Sequence, residues 1–292
     1  MAGEMYAVTG EALTDIANAI RSKTGDSAKL SLGEMADSIE GLECGDDTET
    51  IAKLNAVIGR SIVEIRSDAN EIGSNAFRGC SQLTTADFPM ATSIDSYAFY
   101  NCLKLATIDF PMATSIGDNA FNGCSQLTTI DFPVATSISR GAFYNCSQLT
   151  TADFPMATST GEIAFYGCSK LATIDFPMAT SISRSAFNGC SQLTTADFPV
   201  ATSIGESAFY SCSKLNALAL RSQSLCSLSN SNAFTSTPIY SGAGYIYVPS
   251  SLLDSYKSAT NWSTYATQFR ALEDYTVDGT ITGELDADKI GA

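Results

Sequence analysis

The chain has 292 residues, with 31 acidic against 16 basic side chains, a formal charge of −15, and no histidine. The basic residues form no cluster that would track a phosphate backbone, so nucleic acid is not an expected partner. Without histidine a Ser-His or Cys-His nucleophile pair cannot be built, and no run of 18 apolar residues is present to span a bilayer.

Residues 1–44 are expected to form a helical hairpin. From Gly10 to Arg21, Leu13, Ile16, Ala17 and Ile20 lie on one helical stripe, and Ser31 and Glu34 make a capping box ahead of Met35 and Ile39. No basic stretch followed by an apolar core opens the chain, so no secretion signal is expected. Residues 45–61 read as an acidic linker and a cap, with Ile51, Leu54 and Ile58 spaced to cover the unit that follows.

Residues 62–234 are one unit repeated. Cys80, Cys102, Cys124, Cys146, Cys168, Cys190 and Cys212 fall every 22 residues, and one frame recurs around them: an apolar residue, Ala-Phe, Cys, Leu, a strand segment and Asp-Phe-Pro, the last lost in the Cys212 unit, where Ala219 stands for Asp. In Leu127-x-x-Ile130-x-Phe132 alternate residues point inward, leaving Thr129 and Asp131 outside, and Pro133 stops the strand because it has no ladder donor. A second short strand is expected near Ile138. Between the two runs a single helical turn, ended by Gly79, Gly123, Gly167 and Gly189 or by Asn101 and Asn145, carries the phenylalanine and the cysteine to one side; only Ser211 departs from this rule. Phe77, Phe99, Phe121, Phe143, Phe165, Phe187 and Phe209 should stack as a buried ladder, and the periodic cysteines should be buried free thiols. Thr160 stands where the other units have Ile, so the fifth coil should be locally shifted, and Phe234 comes 25 residues after Phe209, so the array should fray there.

In residues 235–272, Tyr245-Ile-Tyr-Val-Pro249 followed by Ser251, Leu252, Leu253, Tyr256 and Asn261-Trp262 resembles the strand-helix ending of many BspA-type repeat proteins, which implies a cap that closes the array with Trp262 as a core residue. Residues 273–292 are acidic and rich in Gly and Thr, as in a loosely held tail or a junction to another subunit.

Chemistry is sparse in this pattern. Asp87, Asp109, Asp131, Asp153, Asp175 and Asp197 occupy one outward position on successive strands, where their mutual repulsion is to be relieved by water and splayed rotamers or by weakly held calcium at Asp109, Asp131, Asp153 and Asp175. The turns vary most, and there Tyr100, Tyr144, Tyr166 and Tyr210 are expected to be exposed anchors for a ligand, beside the Arg140 and Arg184 segments. No phosphate-cradling loop and no convergent set of unlike groups exists, so no catalytic residue and no cofactor is assigned.

The recurring Ile-Gly-x-x-Ala-Phe-x-x-Cys-x-x-Leu frame resembles the BspA-type, or Treponema pallidum-type, leucine-rich repeats. The resemblance implies an α/β repeat solenoid: a right-handed leucine-rich-repeat-like coil with a parallel sheet on one face, short second strands and helical turns, capped at both ends. Leu13 to Gly25 resembles a short module of tail-region proteins in phages and prophages of gut Firmicutes. Together these imply a non-enzymatic binding or structural protein, made in the cytoplasm, carried on a virion and contacting a bacterial surface. Residues 1–44 would then join other virion subunits. The alternative is a cell-surface or secreted adhesin-type protein that binds a protein or glycan of a host or neighbouring cell.

Overall fold

Proline sets the length of the strands in the main sheet. The computed structural model describes residues 64–272, in which Thr85–Asp87, Thr107–Asp109, Thr129–Asp131, Thr151–Asp153 and Thr173–Asp175 are three-residue strands, each followed by Phe and Pro. The hairpin, linker and tail expected at 1–44, 45–61 and 273–292 lie outside the described residues. Strands pair in parallel with a 22-residue register, Thr85 to Thr107, Thr129 to Thr151 and Thr151 to Thr173, so each residue sits beside its own counterpart. Glu64–Arg66 pairs with Thr85–Asp87 at one end. At the other, Thr195–Phe198, Ala217–Leu220, Tyr245–Val248 and Phe269–Ala271 form a four-stranded parallel sheet of their own, so this wall consists of three hydrogen-bonded sheets that part between Thr107–Asp109 and Thr129–Asp131 and between Thr173–Asp175 and Thr195–Phe198. The opposite wall is a second parallel ladder of two-residue strands, Glu71–Ile72, Ser93–Ile94, Ser115–Ile116 and Ser137–Ile138, then Ser181–Ile182, Ser203–Ile204 and Ser227–Leu228. The chain winds through both walls once per repeat, which makes a leucine-rich-repeat-like solenoid.

The third wall carries the expected helical turn in an opened form. Ala76, Arg78 and Cys80 donate their N–H groups three residues back, to Gly73, Asn75 and Phe77, whereas the alternating Asn75, Phe77 and Gly79 donate to Ser96, Ala98 and Tyr100 of the next coil. The cause is backbone conformation. Two residues per coil are left-handed, Asn75 at φ 60° and Gly79 at φ 71° in the first, and each turns its peptide toward the neighbour. The second position matches the glycine and asparagine pattern, and Ser211 adopts it as well, with φ 58°. The first position has no such signature: Tyr97, Asn119, Gly141, Ile163, Ser185 and Ser207 all hold positive φ there.

Side chains of like kind stack inside. The ladder from Phe77 to Phe209 is buried and continues to Phe234, with successive ring centroids 5.1–5.5 Å apart. The extra residues before Phe234 are absorbed in the connections, so the expected fraying does not reach the core. A second column, Phe88, Phe110, Phe132, Phe154 and Phe176, interleaves with the first at tilted and edge-on angles, for example 5.7 Å and 65° between Phe99 and Phe110. Offset stacking with edge contacts suits the ring quadrupole.

The cysteines have a role beyond filling space. All seven are buried as reduced thiols, and from Cys102 onward each thiol donates to the carbonyl of a phenylalanine one coil earlier: Cys102 to Phe77 at 3.0 Å, Cys124 to Phe99 at 3.2 Å, Cys146 to Phe121 at 3.2 Å, Cys168 to Phe143 at 3.1 Å. That carbonyl also accepts the N–H of its own coil's cysteine, so the thiol satisfies a second buried lone pair. Burial pushes the thiol pKa values up, to about 12 for Cys212 and further in the middle of the array.

The fifth coil is the irregular one, as Thr160 suggests. Its second strand shrinks to a single bridge between Ser159 and Ser181, and the buried Thr160 hydroxyl accepts the Ser183 N–H at 2.9 Å in place of the usual carbonyl. After Phe234 an aromatic lid closes the ladder. Tyr265 lies edge-on to Phe234 at 5.4 Å and Trp262 lies 6.0 Å away, with the indole N–H donating to the Cys226 carbonyl at 2.6 Å. Tyr256 accepts the Cys226 N–H at 2.9 Å. Trp262 is 1% exposed and therefore a core residue.

Two expectations follow. Ile163 is β-branched with φ 50°, and an L-residue in that region loses about 1–2 kcal/mol relative to a permissive one. Ile163→Asn should therefore raise the thermal midpoint by a few degrees by circular dichroism, and a fall would mean that packing of the Ile side chain outweighs the backbone term. At pH 8 the seven periodic thiols should be inert to an aromatic disulfide reagent in native protein and react together on denaturation; rapid labelling of Cys124 or Cys146 in the native state would contradict the buried seam.

Candidate functional site

The outer face of the main sheet is a grid of hydroxyls and carboxylates. Thr85, Thr107, Thr129, Thr151, Thr173 and Thr195 form one column and the six aspartates the next, because residues two apart on a strand share a face. In-register pairing brings Asp87 beside Asp109, and Asp153 between Asp131 and Asp175. Arginines bracket the row: Arg66 lies 3.2 Å from Asp87, and Arg221 forks onto Asp197 with contacts of 2.6–3.0 Å. Asp109, Asp131, Asp153 and Asp175 are exposed and pair with no cation among the described residues. Nor, among those residues, do three or more acidic or thiol groups converge in a way able to hold a metal ion. The aspartates neighbour one another pairwise along a line, which is the wrong shape for a coordination shell of six to eight oxygens.

The turn wall carries the tyrosines. Tyr144 and Tyr166 stack at 5.0 Å with an 8° tilt, and Tyr97 and Tyr100 meet edge-on at 5.6 Å with the Arg78 guanidinium 5.5 and 5.1 Å from their rings. Tyr100, Tyr144 and Tyr166 are half-buried by these contacts, and Tyr210 is exposed. So three of the four expected anchors lie against neighbouring rings or a guanidinium instead of standing free.

Arg140 and Arg184 serve a purpose that the sequence reading missed. They alternate with Glu162 and Glu206 at one position of successive coils, and the four side chains form a zipper: Arg140 to Glu162 at 3.5 Å, Glu162 to Arg184 at 3.4 Å and Arg184 to Glu206 at 3.7 Å. Their alternating sign at a 22-residue spacing was the signal. A second missed feature is a row of exposed apolar side chains just after the strand prolines: Met90, Met112, Val134, Met156, Met178 and Val200.

Chemically the outer face of the sheet wall repeats threonine in one column and aspartate in the next, and the thiols that could act as nucleophiles are buried and protonated. Burial, followed by the charges of Asp175 and Asp131, holds the Asp153 carboxyl above its ordinary 3.8. A group raised on folding contributes most stability below its unfolded pKa and loses it as pH rises through the folded value, so at neutral pH the charged Asp153 carboxylate opposes folding. Removing one charge relieves repulsions of about 1 kcal/mol or less each at a strand spacing of about 5 Å. Asp153→Asn should therefore raise the thermal midpoint at pH 7 and low salt, and have no effect at pH 3 or in high salt; the same increment at both pH values would mean that charge is not the cause.

Comparison with known proteins agrees with the coil geometry. The family model for the BspA type leucine rich repeat region matches residues 60–161 and 136–260, with six copies. No curated protein matches the chain. Among solved structures, a leucine rich cell surface protein from Faecalibacterium prausnitzii A2-165 superposes with a TM-score of 0.50 and 32% identity, over 53% of this chain and 44% of that one. The T. pallidum leucine rich repeat protein superposes with a TM-score of 0.50 and 24% identity, over 54% of this chain and 79% of its own. The chain thus spans less than half the length of the F. prausnitzii protein. No helix among the described residues is long and apolar enough to cross a membrane. With stacked 22-residue coils on both walls and a family match across more than half of its residues, the chain belongs to the BspA-type leucine-rich repeat proteins.

Proposed function

We propose that the chain is a non-enzymatic recognition module acting at a bacterial cell surface, with a protein or glycan of a host or neighbouring cell as its ligand. The observation that carries this is the contrast between faces: the sheet repeats one Thr-x-Asp pattern, whereas the turns differ from coil to coil and present the Tyr144–Tyr166 stack and the Arg78–Tyr97–Tyr100 cluster. Rigid aromatic groups on a preformed scaffold lose little entropy on binding and serve as contact anchors. The cell-surface setting is supported by the likeness to the leucine rich cell surface protein of F. prausnitzii.

A second reading has its own support. Leu13 to Gly25 resembles tail-region modules of phages and prophages, which favours a virion-borne protein whose residues 1–44 join other virion subunits. Sedimentation of the chain with intact phage particles from an induced culture distinguishes this from display on the cell.

The labelled full chain should bind intact bacterial or epithelial cells saturably. The double substitution Tyr144→Ser with Tyr166→Ser should weaken that binding at least tenfold without changing the fold by circular dichroism. Undiminished binding by the double variant would reject the tyrosine face, and turnover of a polysaccharide by the native chain would reject the non-enzymatic reading.

A further inference from the structure

The row of exposed apolar side chains is the least expected surface of this solenoid. Met90 is 53% exposed, Met112, Met156 and Met178 50%, and Val134 and Val200 38%, one in each of six successive coils at the corner between the two strand walls. The core already has two phenylalanine columns, and these side chains are not part of it. Behind them runs a threonine column whose hydroxyls are engaged: Thr114 donates to the Thr92 carbonyl at 3.0 Å, Thr136 to Thr114 at 3.3 Å, Thr180 to Thr158 and Thr202 to Thr180 at 3.1 Å. In front of them, three residues earlier in each coil, runs the aspartate column, whose four central members pair with no cation among the described residues. The neighbouring zipper of Arg140, Glu162, Arg184 and Glu206 shows that a column in this fold can be neutralised by alternating sign, and the aspartate column is not.

We propose that this corner is a docking site for a basic amphipathic α-helix of a partner protein, laid along the solenoid axis with its apolar stripe on the Met/Val row and its lysines or arginines on Asp109, Asp131, Asp153 and Asp175. Spacing selects the helix. Coils repeat at about the distance between paired strands, 4.7–4.9 Å, so the row is about 24 Å long. A helix presents one apolar residue per turn of 5.4 Å, close to that step, and spans the row with about 16 residues. An extended strand repeats a side chain on one face only every 6.6 Å or so and drifts out of register within two coils. The remaining difference between helix pitch and coil step is taken up by the methionines, four of the six, whose unbranched side chains adapt to an irregular contact. Charge selects the flank: a row of carboxylates beside an apolar stripe matches lysine or arginine on one side of the helix and repels an acidic one. This surface is separate from the tyrosine turns and goes beyond the ligand proposed for them.

The test uses the full chain and a fluorescent synthetic helix of about 18 residues, with leucine at every third or fourth position and lysine along one flank. Two controls accompany it, a scrambled peptide of the same composition and one with glutamate in place of lysine. The native chain should bind the first at least tenfold more tightly than either control. The combined substitutions Met112→Gln, Met156→Gln and Met178→Gln should weaken binding at least tenfold. Separately, Asp131→Asn with Asp153→Asn should weaken it at least threefold and flatten its salt dependence. All of these side chains are exposed, so the methionine variant should keep the native melting curve and the aspartate variant should melt no lower than the native chain, which shows that the fold is intact. Equal binding of the scrambled peptide, or undiminished binding by the methionine variant, would overturn the proposal. So would two other results: cosedimentation with phosphatidylcholine vesicles that the methionine variant loses, which assigns the row to lipid, or a concentration-dependent dimer that it loses, which assigns the row to a second copy.

Discussion

Every structural property of this chain passes through the in-register stacking of one coil on the next. With a parallel register of 22 residues, the neighbour of each side chain along the axis is the residue at the same place in the next unit. Sequence choice at any position is then a choice about self-contact. Phenylalanine stacks on phenylalanine, cysteine hands its S–H to the coil behind, and threonine hydroxyls close on threonine carbonyls. Groups that tolerate their own kind make the columns cheap to repeat. Aspartate does not, and its row survives because four of its members face water and the two end members meet arginine.

Much of this was legible in the residues. A 22-step recurrence of Phe, Cys and Leu is visible without any structure, proline marks where each strand stops, and glycine or asparagine before the cysteine announces a left-handed residue. Thr160 flagged the one coil whose second strand collapses to a bridge. The first left-handed position was hidden, because Asn75, Tyr97, Ile163 and Ser185 share no chemistry, and tertiary hydrogen bonding to the next coil imposes the conformation on whatever residue is there. The Arg-Glu zipper was hidden for a different reason. Residues read one unit at a time looked like surface drift, and only comparison between adjacent units shows the alternation.

The candidate surfaces were legible only in part. The aspartate and tyrosine columns stood out as repeated chemistry, but how open they are depends on neighbours that one unit does not reveal. Tyr144 stacks on Tyr166 because both coils carry tyrosine, whereas Asn122 and Asn188 interrupt the column elsewhere. The methionine row went unnoticed because a residue after proline reads as a loop position, and its meaning comes from six copies being aligned along one edge.

The Arg-Glu zipper also bears on how such an array can change size. Arg140, Glu162, Arg184 and Glu206 give the rod a parity. Duplicating a single unit inside that stretch would place two like charges next to each other, whereas duplicating a pair would keep every contact in phase. The aspartate and phenylalanine columns are indifferent to this count, so growth by even steps is the route that leaves all of the columns intact.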